Sequence, residues 1–165
     1  MQYQANFSHG DLVVYPSHGV GKLEKIEQQV IAGQELQVLV INFTKNRMTL
    51  RLPMAKAKNA GLRSLSTTDE INLALESLRK KIKTTKGIWA RRAQEYELKI
   101  NSGNLASVAE VLRELYRQGD QTEQSYSERQ IYQTALERLA AEIAAVESIE
   151  EESARQRVES FLKAA

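Results

Sequence analysis

Apolar and polar residues alternate through most of the first sixty-odd positions of the chain, which is the pattern of β-strands with one buried face. The clearest case is residues 48–52 (MTLRL), where every second side chain is apolar. Further strands are predicted at residues 12–15, 20–30 and 36–43, with turns at 17–19, 32–35 and 44–47. Several short strands joined by tight turns predict a small curved barrel, SH3-like or Tudor-like.

From Ser66 onward the apolar residues recur every three or four positions, which is the helical period. Thr67 with Glu70, and Ser125 with Glu128, have the spacing of capping boxes that begin helices. Helices are predicted from Thr67 to Ile82, from Ile88 to about Asn101, from Leu105 to before Gly119, from Ser125 to Val146, and around Val158 and Leu162. The predicted fold class is therefore α+β, with a small N-terminal SH3/Tudor-like β-barrel (residues 1–65) followed by a compact all-α helical domain (residues 66–165).

Composition excludes several classes of protein. The chain has 165 residues, 42% of them hydrophobic and 27% charged, which is typical of a soluble protein. It contains no cysteine, so disulfides, thiol nucleophiles and thiolate metal sites are excluded. The sequence shows no secretory signal and no apolar run of membrane-spanning length, so we expect a cytoplasmic protein without a membrane partner.

Charge is distributed unevenly along the chain, although the net charge is only +2. Residues 79–117 carry ten Lys or Arg against four Asp or Glu, whereas residues 118–165 carry five against ten. The positive field is thus concentrated in the middle of the chain. Such a patch attracts a polyanion to one region of the protein instead of to its whole surface.

The only tryptophan, Trp89, lies within this basic region. It is followed by Arg91 and Arg92 and preceded by Lys83 and Lys86. Cations neutralise phosphates and a flat ring stacks on bases, so the segment is a candidate nucleic-acid interface. The alternative is that the indole fills a helical core and the cations form a solvated face. On the residues alone, this second interpretation is marginally favoured.

Other candidate chemistry is sparse. Arg51 points away from the apolar face of its strand, close to Pro53, which ends the strand or marks a sheet edge. An edge strand of this kind suits strand addition by a partner, but it equally suits a solubilising edge charge. His9 and His18 lie in predicted turns without enough neighbouring ligands for a metal site. No partnered nucleophile is evident, so we expect a non-enzyme without a cofactor.

The chain resembles the CarD/CdnL family of bacterial transcription regulators. The resemblance covers almost the whole chain in the right order. It is carried by residues 10–16 (GDLVVYP), 18–21 (HGVG), 48–53 (MTLRLP), 61–63 (GLR), 89–92 (WARR), 96–100, 102–103 and 108–115 (VAEVLREL).

The resemblance implies that the Tudor-like domain binds the β subunit of RNA polymerase. Val38, Arg51 and Pro53 match the strand with which the family makes this contact. The turn at residues 44–47 is slightly longer than in relatives, and this affects the register of the contact strand.

For the helical domain, the resemblance implies contact with promoter DNA at the upstream edge of the melted bubble, largely independent of sequence. Trp89 matches the residue that wedges at this fork, and Arg91 and Arg92 match residues that hold the backbone; Lys83 and Lys86 could reach adjacent phosphates. The outcome would be a more stable open complex. Relatives carry an aromatic residue and a cation where this chain has Ala93 and Gln94.

We therefore expect a monomeric, nucleoid-associated transcription regulator. The main alternative is a protein-interaction adaptor whose basic segment docks on an acidic protein and never touches DNA. An RNA-binding module would need exposed aromatic side chains on the barrel. A hydrolase is the least favoured class, because no catalytic motif was found.

Overall fold

The computed structural model describes residues 7–80, 87–116 and 125–164. The chain divides into two compact units, Met1–Leu65 and Ser66–Ala165. The first contains an antiparallel sheet and the second is helical, which confirms the predicted α+β fold class. Within the described ranges, no helix is both long and apolar enough to cross a lipid bilayer.

Five antiparallel strands form the sheet of the first unit, in the order β4-β3-β2-β1-β5. They are β1 (Leu12–Tyr15), β2 (Gly19–Ile31), β3 (Gln34–Phe43), β4 (Met48–Pro53) and β5 (Arg63–Ser64). The strand β4 is therefore at one edge of the sheet, as the position of Pro53 had suggested.

The β2–β3 hairpin is tighter than predicted. Only Ala32 and Gly33 separate its strands, and both have positive φ angles, 52° and 79°. Two central residues with positive φ are characteristic of the type I′ turn, whose twist matches that of the flanking strands. The pairing of β2 with β3 consequently extends to the turn itself, and a two-stranded ribbon projects beyond β4.

Alternation in β4 is confirmed. Met48, Leu50 and Leu52 pack against the core of the first unit, whereas Thr49 and Arg51 are exposed. The core itself consists of Val13, Leu23, Leu39, Ile41, Phe43, Leu52, Ala57 and Leu62.

Gly21 allows β2 to lie close over this core. A Cβ atom at position 21 would be 2.7 Å from side-chain carbons of both Ile41 and Phe43. These distances are far below van der Waals contact, so any larger residue would force the strand away from the core.

Two short elements of the first unit were not predicted. They are the helix α1 (Met54–Ala57) and the strand β5, which pairs with β1. Elements of four and two residues are too short to display a hydrophobic period, so the sequence pattern carries no signal for them.

The second unit contains α2 (Thr68–Ser77), α3 (Trp89–Ile100), α4 (Leu105–Leu115), α5 (Tyr126–Glu147) and α6 (Glu151–Lys163). The Thr67–Glu70 capping box is present in both directions, and the Ser125 side chain accepts from the Glu128 amide. The helix α2 is shorter than predicted. It ends at Ser77, whose carbonyl accepts a hydrogen bond from Arg113 Nη1 at 3.0 Å; Ile82, the predicted end, lies outside the described residues.

The core of the helical unit draws on all five helices. Beside it, the side chain of Glu142 in α5 is only 2% exposed. One carboxylate oxygen of Glu142 accepts a hydrogen bond from the backbone amide of Ser66 at 2.8 Å. The bond holds the first residue of the unit against a helix 76 positions further along the chain.

Candidate nucleic-acid and protein interfaces

The first turn of α3 contains Trp89, Arg91 and Arg92 and no acidic residue. Ile88 is the N-cap residue, and no side chain caps the helix. The start of a helix is the positive end of its dipole, so two cations there are electrostatically unfavourable unless an anion is close. The local electrostatics therefore favour a negatively charged ligand at this end of α3.

Trp89 is neither fully buried nor fully exposed. The indole packs against the core of the helical unit, and its ring centroid is 6.1 Å from that of Tyr96, at an interplanar angle of 49°. The interpretation of Trp89 as a core residue therefore holds for part of the ring, while the rest of the side chain remains accessible. The nucleic-acid interpretation stays a prediction.

Arg92 lies beside both of these rings. Its Cζ atom is 5.6 Å from the centroid of the Trp89 ring and 5.7 Å from that of the Tyr96 ring. Its Nη2 atom donates a hydrogen bond to the Tyr96 hydroxyl at 3.0 Å. The three residues form what we call the indole clamp: Trp89, Arg92 and Tyr96.

Tyr96 anchors the clamp, since its side chain is 2% exposed. Burial raises the pKa of Tyr96 above its usual range, and the nearby carboxylate of Glu114 on α4 acts in the same direction. The hydroxyl therefore stays protonated at neutral pH. In that form it can accept from Arg92 and donate to Glu114 at once.

The other predicted DNA-contact residues are placed differently. Arg91 is exposed and is not part of the clamp. Lys83 and Lys86 lie outside the described residues. Arg79, further upstream, has its guanidinium 4.3 Å from the centroid of the Phe161 ring and an ion pair with Glu76.

In the first unit, the three residues matched to polymerase contact share one face of the sheet. Val38 on β3 is the cross-strand partner of Pro53 on β4, and Arg51 is opposite Val40. The Arg51 side chain is 58% exposed. Val38 is only 4% exposed, so it can support a contact surface there but contributes little accessible area of its own.

Sequence reasoning missed the acidic partner of Arg51. The Nε atom of Arg51 is 3.8 Å from a carboxylate oxygen of Glu27 on β2. Since Glu27 pairs with Val38, and Arg51 pairs with Val40, this ion pair reaches diagonally over the middle strand. The only sequence signal for this ion pair was the polar positions of β2. Predicting the pair from them would have required the register of both hairpins.

Glu27 is itself held in place by two neighbours on β2. Lys25 Nζ is 2.8 Å from one carboxylate oxygen, and Gln29 Nε2 donates to the other at 3.0 Å. The hydrogen bond from Lys25 and then that from Gln29 lower the pKa of Glu27 below its usual range. The carboxylate is therefore ionised at neutral pH and available to Arg51.

His18 lies in a turn, as predicted, and its backbone N–H donates to the Tyr15 carbonyl at 3.1 Å. Its ring also contributes to packing. It stacks on Tyr15, with centroids 5.5 Å apart and an interplanar angle of 11°, and contacts Phe43 at the same centroid distance. In the part of the chain that the structure describes, no three His, Asp or Glu side chains come together as a metal site requires.

Comparison with known proteins defines the class to which this architecture belongs. Residues 7–66 match the family model described as CarD-like/TRCF RID domain, and residues 73–159 match the model described as CarD, C-terminal domain. Both units of the chain are thus matched by models that carry the CarD name.

The chain belongs to the CarD family, which confirms the resemblance found in the sequence. A relative in Bacillus subtilis (strain 168), named "Putative transcription factor YdeB", is 27% identical over 145 residues. The match covers 88% of this chain and 95% of that protein. The role of the protein is accordingly that of a transcription regulator.

Proposed function

We propose that the protein binds the β subunit of RNA polymerase through the β4 face of its first unit. We further propose that it stabilises the open promoter complex by wedging Trp89 at the upstream fork of the bubble. Family membership supports the polymerase partner. The observation that carries the DNA part is the position of a partly accessible indole at the cationic first turn of α3.

The wedge acts by differential binding. A ring can insert only where bases have already unstacked, so it stabilises melted DNA more than duplex DNA. Stacking of an aromatic side chain on a base contributes about 1–3 kcal/mol. That free energy shifts the equilibrium between closed and open complexes by roughly 5- to 150-fold.

The sheet edge suits the polymerase contact. A partner strand can add to β4 through backbone hydrogen bonds, and Arg51 then supplies charge complementarity beside it. Attachment to the polymerase raises the local concentration of the helical unit at the promoter, to roughly millimolar for a close tether. The few cations of α3 therefore suffice without tight binding to free DNA.

The test is the lifetime of open complexes formed by polymerase holoenzyme on a promoter, measured after addition of a competitor. Trp89→Ala should lose most of the stabilisation. The matched control is Tyr126→Ala, which removes a 71% exposed aromatic ring from α5 of the same unit and should change nothing.

The protein-interaction adaptor is the outcome that would replace this proposal. It predicts that Trp89→Ala keeps the wild-type lifetime of open complexes and still co-purifies with the polymerase. Crosslinking from position 89 to promoter DNA would separate the two functions directly.

A further inference from the structure

We infer that Arg92 is a positioning residue for Trp89, and that Arg91 is the arginine of the pair that meets the DNA backbone. The inference rests on the proposed DNA contact, because a positioned indole matters only if the ring is used. It departs from the expectation that both arginines hold phosphates.

Helical spacing separates the two arginines. Trp89, Arg92 and Tyr96 are three and four residues apart, so their side chains lie along one face of α3. Arg91 is one position earlier than Arg92 and therefore projects from the helix about 100° away. The observed exposure agrees with this geometry, since Arg91 is exposed and Arg92 is half-buried.

The guanidinium of Arg92 is already engaged. It contacts the Trp89 and Tyr96 rings at 5.6 and 5.7 Å and donates to the Tyr96 hydroxyl at 3.0 Å. Its Nε atom is buried without a hydrogen-bond partner in the described part of the chain. With Nε buried and Nη2 bonded to the hydroxyl, the side-on fork of these two nitrogens is not open to a phosphate unless the guanidinium moves.

The clamp also reaches beyond α3. Tyr96 is buried, and its hydroxyl interacts with Glu114 on α4 as well as with Arg92. The orientation of the indole is thus tied to the packing of two helices through one guanidinium. A ring fixed before binding loses less conformational freedom when it stacks, so the clamp increases the fraction of the stacking energy that appears as binding.

The single tryptophan makes the inference directly measurable, because fluorescence excited at a wavelength where tyrosine does not absorb comes from Trp89 alone. Without DNA, Arg92→Gln should increase acrylamide quenching of Trp89 and lower its anisotropy. The matched variant, Arg91→Gln, removes the same charge and should leave both signals at wild-type values.

DNA binding by the same full-length variants separates the two roles. Arg91→Gln should reduce the slope of log affinity against log salt by about 0.9, which is the loss of one phosphate contact, equally on duplex and fork DNA. Arg92→Gln should keep the slope but lower the preference for fork-junction DNA over duplex by roughly fivefold.

The inference is overturned if Arg92→Gln leaves the fluorescence of Trp89 unchanged and reduces the salt slope as much as Arg91→Gln does. Should Arg92→Gln fail to fold, Tyr96→Phe removes only the hydroxyl and should still increase quenching of Trp89; wild-type quenching in that folded variant would equally refute the clamp. Failure of the proposed function gives a different result. In that case Trp89→Ala keeps the wild-type preference for fork-junction DNA, while Arg92→Gln and Arg91→Gln still differ in the fluorescence of Trp89.

Discussion

The two units of the protein use an arginine in opposite ways. Arg51 lies on an open sheet face, is 58% exposed and has a carboxylate 3.8 Å from its Nε atom. Arg92 lies between two aromatic rings and donates to a buried hydroxyl. Counting cations would treat the two residues alike, whereas their different surroundings are the reason why we propose an external partner for Arg51 and internal positioning for Arg92.

The difference follows from the two backbone periods. In a strand, alternation sends Arg51 to the face opposite the core, and its neighbours come from other strands. In a helix, residues three and four positions apart meet on the same face, so the partners of Arg92 are close in sequence. The sheet surface is therefore assembled by long-range pairing, and the indole clamp by local geometry.

The largest expected effect is on the sheet side of this comparison. Arg51→Glu places a second carboxylate near Glu27 and reverses the charge offered to the partner. We expect binding to the isolated β subunit to weaken by roughly 100-fold or more. Titration of the β subunit measures this loss, and Lys56→Glu on the exposed part of α1 serves as a charge-matched control. Unchanged co-purification of Arg51→Glu would remove β4 from the interface.

On the helical side, Trp89→Ala should lower the free energy of unfolding by about 1–2 kcal/mol, because it removes one aromatic pair and one cation–π contact. The unit should still fold, since the ring is only partly buried. Urea unfolding followed by helical circular dichroism measures the change. A loss of more than about 4 kcal/mol would instead identify Trp89 as a core residue.

How far the sequence could anticipate these surfaces depends on the range of the contacts. The alternation in β4, the hairpins and the Thr67–Glu70 box are local patterns, and they were confirmed, except that the β2–β3 turn is shorter than predicted. A spacing of three places Trp89 and Arg92 on one face of a helix, but nothing in the sequence identified Tyr96 as their buried anchor. Glu27 was missed because its contact with Arg51 spans three strands, and short elements such as β5 have no period to detect.

A smaller effect on binding to the β subunit is expected when Arg51 loses its ion pair with Glu27. Glu27→Gln removes the exposed ion pair, and such pairs contribute little, so binding to the β subunit should weaken by about two- to fivefold. The same titration measures it. A loss as large as that of Arg51→Glu would mean that Glu27 itself contacts the polymerase.

The smallest effects concern pH, and their sign is opposite in the two units. The pKa of Glu27 is lowered in the folded protein, so its contribution to stability is complete above the unfolded pKa and is lost as the pH falls through the folded value. Carboxyl chemical shifts of Glu27 followed by NMR between neutral and acidic pH should show this. A Glu27 pKa at or above 4.5 would contradict it.

For Tyr96 the sign is reversed. Its pKa is raised on folding, so its contribution is complete below the unfolded pKa of a tyrosine and is lost as the pH rises through the folded value. This contribution should therefore persist through acidic and neutral pH and be lost only in strong alkali, where the phenolate is repelled by Glu114 although it still accepts from Arg92. Quenching of Trp89 should accordingly stay constant from neutral to acidic pH, and an increase on acidification would refute the assignment.

The hydrogen bond from Ser66 to Glu142 has a consequence for how this region can vary. The donor is a backbone amide, which every residue except proline possesses. The bond itself can therefore survive replacement of the Ser66 side chain by any residue except proline that fits this buried position, and it depends on residue identity only at its acceptor, Glu142. A fragment cut to begin at Thr67 would keep the capping box yet lose this closure, so the helical half is best excised with its preceding residue attached.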